Sequence, residues 1–235
     1  MLQLSRKEIE VIGDSVLADF HGTPKLPLRQ IDIDRFAGDY LHLQASYRKL
    51  SNDGRILGLT TFGETDLILC HDGIQECLHL LEDTVLMEEM LLGDELTGRR
   101  RFTMAHECAH QILFRMEEQK EGVGFRKRLV SRRAYSCREL VRMWDWCEWQ
   151  ANALGASLLM PSELIRHCLY TFGCADKLTV YGVDRLYGKD YLIADNICRF
   201  LGVSLSAFLI RLKDLHLLEH RSAEEYHDPL DIFVS

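Results

Sequence analysis

Two histidines and a glutamate form the group of residues in this chain that is best suited to chemistry. They occupy the first, second and last positions of His106-Glu-Cys-Ala-His110, within the stretch Arg101–Met116. Residues four apart lie on one face of an α-helix, about one turn apart, so the two imidazoles could bind the same metal ion. Glu107 would lie at the flank of that face, beside a metal-bound water, and could take a proton from it.

The residues around the histidines predict an amphipathic helix that packs in a core. Thr103 is the predicted N-cap. An apolar stripe beside the metal face is formed by Ala105, Ala109, Ile112 and Leu113. The pattern His-Glu-x-x-His on a helix is typical of zinc proteases, in which the glutamate is the general base. We therefore predict Zn²⁺ as the cofactor, His106 and His110 as ligands and Glu107 as the catalytic base; the alternative is an amphipathic helix with incidental histidines.

A third ligand is expected, because a catalytic zinc ion usually has three protein ligands and one open position. It must come from another element that packs against the first helix. We predict Glu148, since the residues three, four and seven positions after it are Ala151, Asn152 and Gly155, and a face of small residues lets two helices approach closely. Asn152 could also donate a hydrogen bond behind the ligands. His167 is the alternative third ligand.

Three other features resemble functional sites but have simpler interpretations. Cys108 and Cys147 lie within the two metal segments, yet both are offset from the metal-facing residues, which favours packing. The sequence His216-Leu-Leu-Glu-His220 matches the inverted pattern H-x-x-E-H, but no helix follows it that could carry a third ligand. The basic stretch 119–142 could engage an acidic partner, although a solvated insertion is the favoured interpretation.

Composition and charge restrict the classes to which the protein can belong. The chain has 235 residues, of which 47% are hydrophobic, enough for one core with a small appended subdomain. A net charge of −8 argues against nucleic acid as a direct partner. We find neither a signal-peptide pattern at the start nor eighteen consecutive apolar residues, so we expect a cytoplasmic protein without a membrane partner. Eight scattered cysteines without a C-x-x-C pair fit that reducing compartment.

Hydrophobic periodicity predicts an α+β fold. The predicted elements are helices at 6–20 and 31–40, strands at 41–50, 56–62 and 66–70, a strand near Thr84–Met87, the helix that contains His106, a helix at 144–160, a helix at 163–172 capped by Ser162, and a helical pair at 191–200 and 205–218. The first three strands are predicted to form an antiparallel meander. We expect a catalytic domain at 1–173, a helical subdomain at 174–218 and a loosely held tail at 219–235.

Three blocks of the sequence resemble one known family. They are Arg101-Phe-Thr-Met-Ala-His-Glu-Cys-Ala-His110, Glu148-Trp-Gln-Ala-Asn152 followed by Leu158-Leu-Met-Pro161, and Gly202-Val-Ser204 followed by Arg211-Leu-Lys-Asp-Leu215. In this order they resemble the ImmA/IrrE family of metallo-endopeptidases, over roughly residues 85–218.

The resemblance implies a zincin-like fold, in which a small antiparallel or mixed sheet packs on the active-site helix and its edge strand pairs with extended substrate. It implies His106, His110 and Glu148 as zinc ligands and Glu107 as general base. It also implies an intracellular endopeptidase that cleaves a specific regulator, such as the transcriptional repressor of a phage or mobile element.

Two other classes of protein remain as alternatives. The first is a zinc-binding regulatory module that holds a repressor or other partner without cleaving it; such a module would not need Glu107. The second is a DNA-binding regulator, because 201–215 can be interpreted as a helix-turn-helix. Only two basic residues, Arg211 and Lys213, lie in Ser204–Leu218, which favours an ordinary helical hairpin.

Overall fold

The computed structural model of the chain describes residues 3–71, 73–121, 137–174 and 176–226. In these residues the chain has the predicted α+β class, with seven α-helices and three small sheets. It divides into two compact units, the first from Met1–Leu26 and Ile31–Leu159 and the second from Pro27–Gln30 and Met160–Ser235. The boundary between the compact units thus follows Leu159, whereas the predicted catalytic domain extends to residue 173.

The first unit contains the helix of the two histidines. Its helices are α1 (Arg6–His21), α2 (Ile33–Arg35), which continues as a π-helical turn (Phe36–Tyr40), α3 (Thr97–Glu121) and α4 (Cys137–Leu159). The prediction of Thr103 as N-cap is wrong, because α3 begins six residues earlier and the Thr103 hydroxyl donates to the carbonyl of Arg99 at 3.0 Å. Helix α4 also begins before the predicted Trp144, and most of the basic stretch, residues 122–136, lies outside the described residues.

The main sheet of the first unit is organised around a buried strand. Its order is β1 (Gln44–Arg48), β5 (Thr84–Glu88) and β2 (Gly58–Thr60), with β1 parallel and β2 antiparallel to β5. Every residue of β5 is buried, which suits a strand with neighbours on both sides. The antiparallel meander is therefore wrong, because β5 lies between β1 and β2.

A separate hairpin uses the third predicted strand. It consists of β3 (Thr65–His71) and β4 (Ile74–Leu80), which pair antiparallel. Leucines of this hairpin pack in a cluster with leucines of the β1 and β5 region; the buried members are Leu50, Leu69, Leu80 and Leu86. The sheets of the first unit are therefore joined by apolar contacts rather than by a continuous ladder.

The second unit combines helices with a two-stranded parallel sheet. Its elements are α5 (Ser162–Thr171), β6 (Leu178–Tyr181), α6 (Gly188–Leu201), α7 (Leu205–Asp214) and β7 (Leu218–Arg221). The predicted loose tail is wrong for 219–226, because β7 pairs with β6 and a 3₁₀ turn follows at Ala223–Glu225; residues 227–235 lie outside the described residues. Ser162 is the first residue of α5 and not its cap, since the N-cap position is Pro161.

Among the described helices, none is by itself long and apolar enough to cross a membrane; α6 and α7 together meet the length and composition requirement but are bent by 103°.

Helices α3 and α4 approach each other closely at a glycine. A Cβ atom added to Gly155 would lie 3.1 Å from the backbone nitrogen of His106 and 3.2 Å from the carbonyl carbon of Ala105. Ala151, one turn earlier on α4, is fully buried. The predicted face of small residues is therefore the surface along which α4 packs on α3, and at Gly155 the contact is made with backbone atoms that cannot rotate away.

We expect Gly155→Val to lower the free energy of unfolding by about 1–3 kcal/mol, because a branched side chain would be forced against the α3 backbone. Urea denaturation of the purified variant measures this loss. Gly38→Val is the matched control, since a Cβ at Gly38 meets no atom within 4 Å. An equal loss in both variants would contradict the proposed close contact.

Candidate metal centre

Three predicted ligands from two helices lie together in the structure. The Nε2 atoms of His106 and His110 on α3 are 3.0 Å apart. From α4, one Glu148 carboxylate oxygen lies 3.2 Å from His106 Nε2 and the other lies 3.3 Å from His110 Nε2. The candidate ligand atoms of this group all lie within 4.8 Å of one another, so the group could hold a metal ion.

The spacing of these atoms fits a small tetrahedral ion. Ligand atoms at about 2.0–2.1 Å from a tetrahedral centre are about 3.3 Å from one another. The two Nε2 atoms are 3.0 Å apart, and each lies 3.2 or 3.3 Å from a different oxygen of Glu148. Both imidazoles place their Nε2 atom beside the Glu148 carboxylate. Histidine nitrogens and a carboxylate oxygen are a donor set that zinc accepts, and three of them leave one position open.

A hydrogen bond behind the site orients the first histidine. His106 Nδ1 lies 3.1 Å from the side-chain oxygen of Asn152 on α4. With Nδ1 as the protonated donor to Asn152, loss of the proton from Nε2 would leave there the lone pair that a metal ligand requires. Asn152 therefore accepts a hydrogen bond, whereas the sequence predicted that it would donate one.

Charge interactions favour the ionised form of the carboxylate. The hydrogen bond with His106, and then that with His110, lower the pKa of Glu148 well below its usual range, although partial burial opposes this shift. Burial lowers the pKa of His106, but its hydrogen bond with Glu148 and the charges of Glu107 and Glu148 outweigh burial, so that the pKa is raised. The site thus concentrates negative charge around two imidazoles, which also suits a divalent cation.

Glu107 lies in the same cleft as the candidate ligands and is 5% exposed. The cleft has a volume of about 550 Å³. Strand β2, with Arg55 and Ile56 before it, lines the cleft together with Glu107 and the three candidate ligands. The carboxylate of Glu107, the candidate ligands and the edge strand β2 therefore line one cavity within the first unit.

The residues that hold β2 against α3 are not among those predicted from the sequence. Gln111 is 1% exposed, and its amide nitrogen donates to Thr60 Oγ1 and to the carbonyl of Thr61, both at 2.7 Å. Gly58 lies beside Glu107, as a Cβ added there would be 2.8 Å from Glu107 Oε1. One signal was available, because Gln111 is four residues after Glu107 and so lies on the same face of α3.

The other candidate ligands are not members of this group. His167 is on α5 in the second unit, where its Nε2 is 3.4 Å from Thr171 Oγ1. Cys108 is fully buried, and burial raises the pKa of its thiol far above the ordinary value, as expected for a packing residue. The H-x-x-E-H sequence is divided between two elements, since His216 has a φ of 58° after α7 whereas Glu219 and His220 lie on β7. These histidines therefore do not share a helical face.

The possible helix-turn-helix has its basic residues engaged within the protein. Helices α6 and α7 meet at an angle that such motifs also show. However, Arg211 is 1% exposed and its Nε donates to the carbonyl of Met160 at 2.9 Å. Lys213 lies 3.8 Å from a carboxylate oxygen of Asp184. These contacts favour a structural hairpin.

No protein-family model matches the chain, and no curated protein matches it.

We expect Glu148→Ala to lose stoichiometric zinc binding, because the two histidines of α3 would remain as the only ligands of the described group. Metal content after dialysis, measured by atomic absorption, provides the test. Glu163→Ala, an exposed glutamate on α5, is the control and should bind as much zinc as the unaltered protein. Full zinc content in Glu148→Ala would exclude Glu148 as a ligand.

We expect Asn152→Ala to weaken zinc binding about 10–100-fold without abolishing it, because His106 would lose the partner that orients its ring. Competition with a chromophoric chelator measures the affinity. Asn196→Ala, at an exposed position of α6, should leave the affinity unchanged. Equal affinities of the two variants would show that Asn152 has no orienting role.

Proposed function

We propose that the chain is a zinc-dependent endopeptidase with a zincin-like fold. The observation that carries the proposal is the meeting of His106, His110 and Glu148 within 4.8 Å, in a cleft that also contains Glu107. The resemblance of the same residues to the ImmA/IrrE blocks supports the same proposal. Zinc is favoured over magnesium or calcium because two of the three donors are imidazoles.

The proposed reaction is hydrolysis of a peptide bond. Zn²⁺ held by the three ligands would act as a Lewis acid toward the scissile carbonyl and the attacking water. The carboxylate of Glu107 would take one proton from that water as its oxygen forms the new bond to the carbonyl carbon. Glu107 would then deliver the proton to the amine nitrogen as the carbon–nitrogen bond breaks, which returns the carboxylate to its starting form.

Strand β2 provides a means to align the substrate. Glu88 N donates to the carbonyl of Leu57 and Thr61 N donates to the carbonyl of Thr84, so these residues direct their backbone groups to β5. In an antiparallel ladder the direction alternates, so the backbone groups of Gly58 and Thr60 point away from β5. Because β2 is an edge strand that lines the cleft, an extended peptide could pair with these groups.

We infer the class of substrate from the family resemblance. The proposed substrate is a specific regulatory protein in the cytoplasm, such as the transcriptional repressor of a phage or mobile element. A cleft with one strand edge suits an extended segment of such a protein better than a folded surface, because backbone pairing needs an exposed strand. No direct contact with nucleic acid or membrane is part of the proposal.

The alternative function is a zinc-binding module that holds a partner without cleaving it. Metal binding in such a module would require His106, His110 and Glu148 but no base. The position of Glu107, nearly buried at the wall of the same cleft, favours the enzyme, because burial of a carboxylate without a role is costly.

We expect Glu107→Gln to reduce cleavage at least 100-fold while zinc content stays unchanged, because the amide keeps the shape of the side chain but cannot accept the proton. The assay uses the zinc-loaded protein with a repressor encoded beside its gene, and fluorescein-labelled casein as a general probe. Glu163→Gln on α5 is the control and should cleave normally. Equal cleavage by Glu107→Gln would exclude the proposed base, and binding of the repressor without cleavage by the unaltered protein would favour the module.

A further inference from the structure

Gly58 of strand β2 occupies a position where a side chain would meet the proposed base. A Cβ atom built there would lie 2.8 Å from Glu107 Oε1, 3.2 Å from Glu107 Cγ and 2.8 Å from Thr103 Cγ2. Two of these separations are shorter than a Cβ atom can maintain without movement of its neighbours. The carboxylate of Glu107 therefore uses space that any other residue at position 58 would fill.

Along this contact, the spacing of the contacting residues on β2 matches their spacing on α3. Thr103, Glu107 and Gln111 follow one another at intervals of four residues on α3, a rise of about 6 Å per interval. Gly58 and Thr60 are two residues apart on β2, which spans about 6.6 Å. Gly58 lies over Thr103 and Glu107, and Thr60 is bonded to Gln111. Two successive turns of the helix are thus aligned with alternate residues of the strand.

The contacts of β2 with Gln111 and β5 also prevent the strand from moving away from α3. Gln111 is buried and donates to both Thr60 Oγ1 and the carbonyl of Thr61, so its bonds hold the end of β2 to α3. On its other side, β2 is held by its pairing with β5. Thr103 is held by its bond to the carbonyl of Arg99. Of the two atoms at 2.8 Å, Glu107 Oε1 is the one at the end of a longer side chain, so rotation about the side-chain bonds can displace it from a new methyl group at position 58.

We propose that Gly58 is a positioning residue for Glu107. The absence of a side chain at position 58 lets the carboxylate lie against the strand, beside the candidate ligands. The hydrogen bonds of Gln111 to Thr60 and Thr61 keep Gly58 next to Glu107. The catalytic part of this inference rests on the proposed endopeptidase function, whereas the contact itself does not.

The catalytic test compares Gly58→Ala with Gly63→Ala, both as zinc-loaded proteins with fluorescein-labelled casein. A Cβ at Gly63 meets no atom within 4 Å, and Gly63 follows the same strand. We expect Gly58→Ala to keep its zinc and its KM but to lose about 100-fold in kcat, because displacement of a catalytic group by about 1 Å has an effect of that size. Gly63→Ala should retain the normal kcat. An unchanged kcat in Gly58→Ala would overturn the proposal.

The contact is tested separately, without metal or substrate, by a double-mutant cycle in urea. Gly58→Ala should lower the unfolding midpoint of the metal-free protein more in the original background than in the Glu107→Ala background, where the carboxylate is absent. Equal lowering in both backgrounds would overturn the contact. An unaltered protein that cleaves neither casein nor the repressor would overturn the proposed function but would leave this cycle as an independent test.

A third variant covers the case in which Gly58→Ala does not fold. It combines Gly58→Ala with Thr103→Ser. The serine lacks Cγ2 but keeps the hydroxyl that donates to the carbonyl of Arg99, so the new Cβ at position 58 meets only Glu107. We expect the combined variant to fold, to bind zinc, and to have a kcat about 100-fold below that of Thr103→Ser alone. Equal kcat values in these two proteins would overturn the proposal.

Discussion

The contact between two helix backbones at Gly155 is the constraint on which the site depends. A carboxylate side chain is short, so Glu148 can reach the histidines of α3 only if α4 packs almost directly on that helix. Gly155 allows this approach because its missing Cβ would meet the backbone at Ala105 and His106. Asn152, between Glu148 and Gly155 on the same helix, then lies at hydrogen-bonding distance from His106. One small residue thus positions both a candidate ligand and its supporting group.

A second constraint acts from the sheet. Strand β5 is buried along its whole length and holds β2 as the edge strand beside α3. The bonds of Gln111 then fix β2 to the helix one turn after Glu107. The cleft is therefore bordered by elements that are fixed in place, α4 by its packing on α3 and β2 by both its ladder with β5 and the hydrogen bonds of Gln111. These fixed positions would suit the proton transfer proposed for Glu107, which depends on the relative placement of the reacting groups.

Local patterns predicted the parts of the structure that local physics determines. The four-residue interval of His106 and His110 predicted their common face, and the small residues after Glu148 predicted close helix packing. The pairing of β1 with β5 was not predictable, because these strands are joined by a long crossover and no nearby turn specifies their register. The start of α3 was also misplaced, since the helix is continued through its arginine-rich first turns and not capped by Thr103. The role of Gly58 depends on a contact between distant segments, which composition cannot show.

The division of the candidate ligands between α3 and α4 links metal occupancy to the integrity of the fold. An ion bound there would join two helices across the whole of residues 111–147, which include the basic stretch, and would close that length of chain into a loop. Because such an ion binds the folded chain and not the separated helices, each tenfold rise in its free concentration above the dissociation constant adds about 1.4 kcal/mol to stability. Removal of the metal would then lower the stability of the fold as well as empty the site.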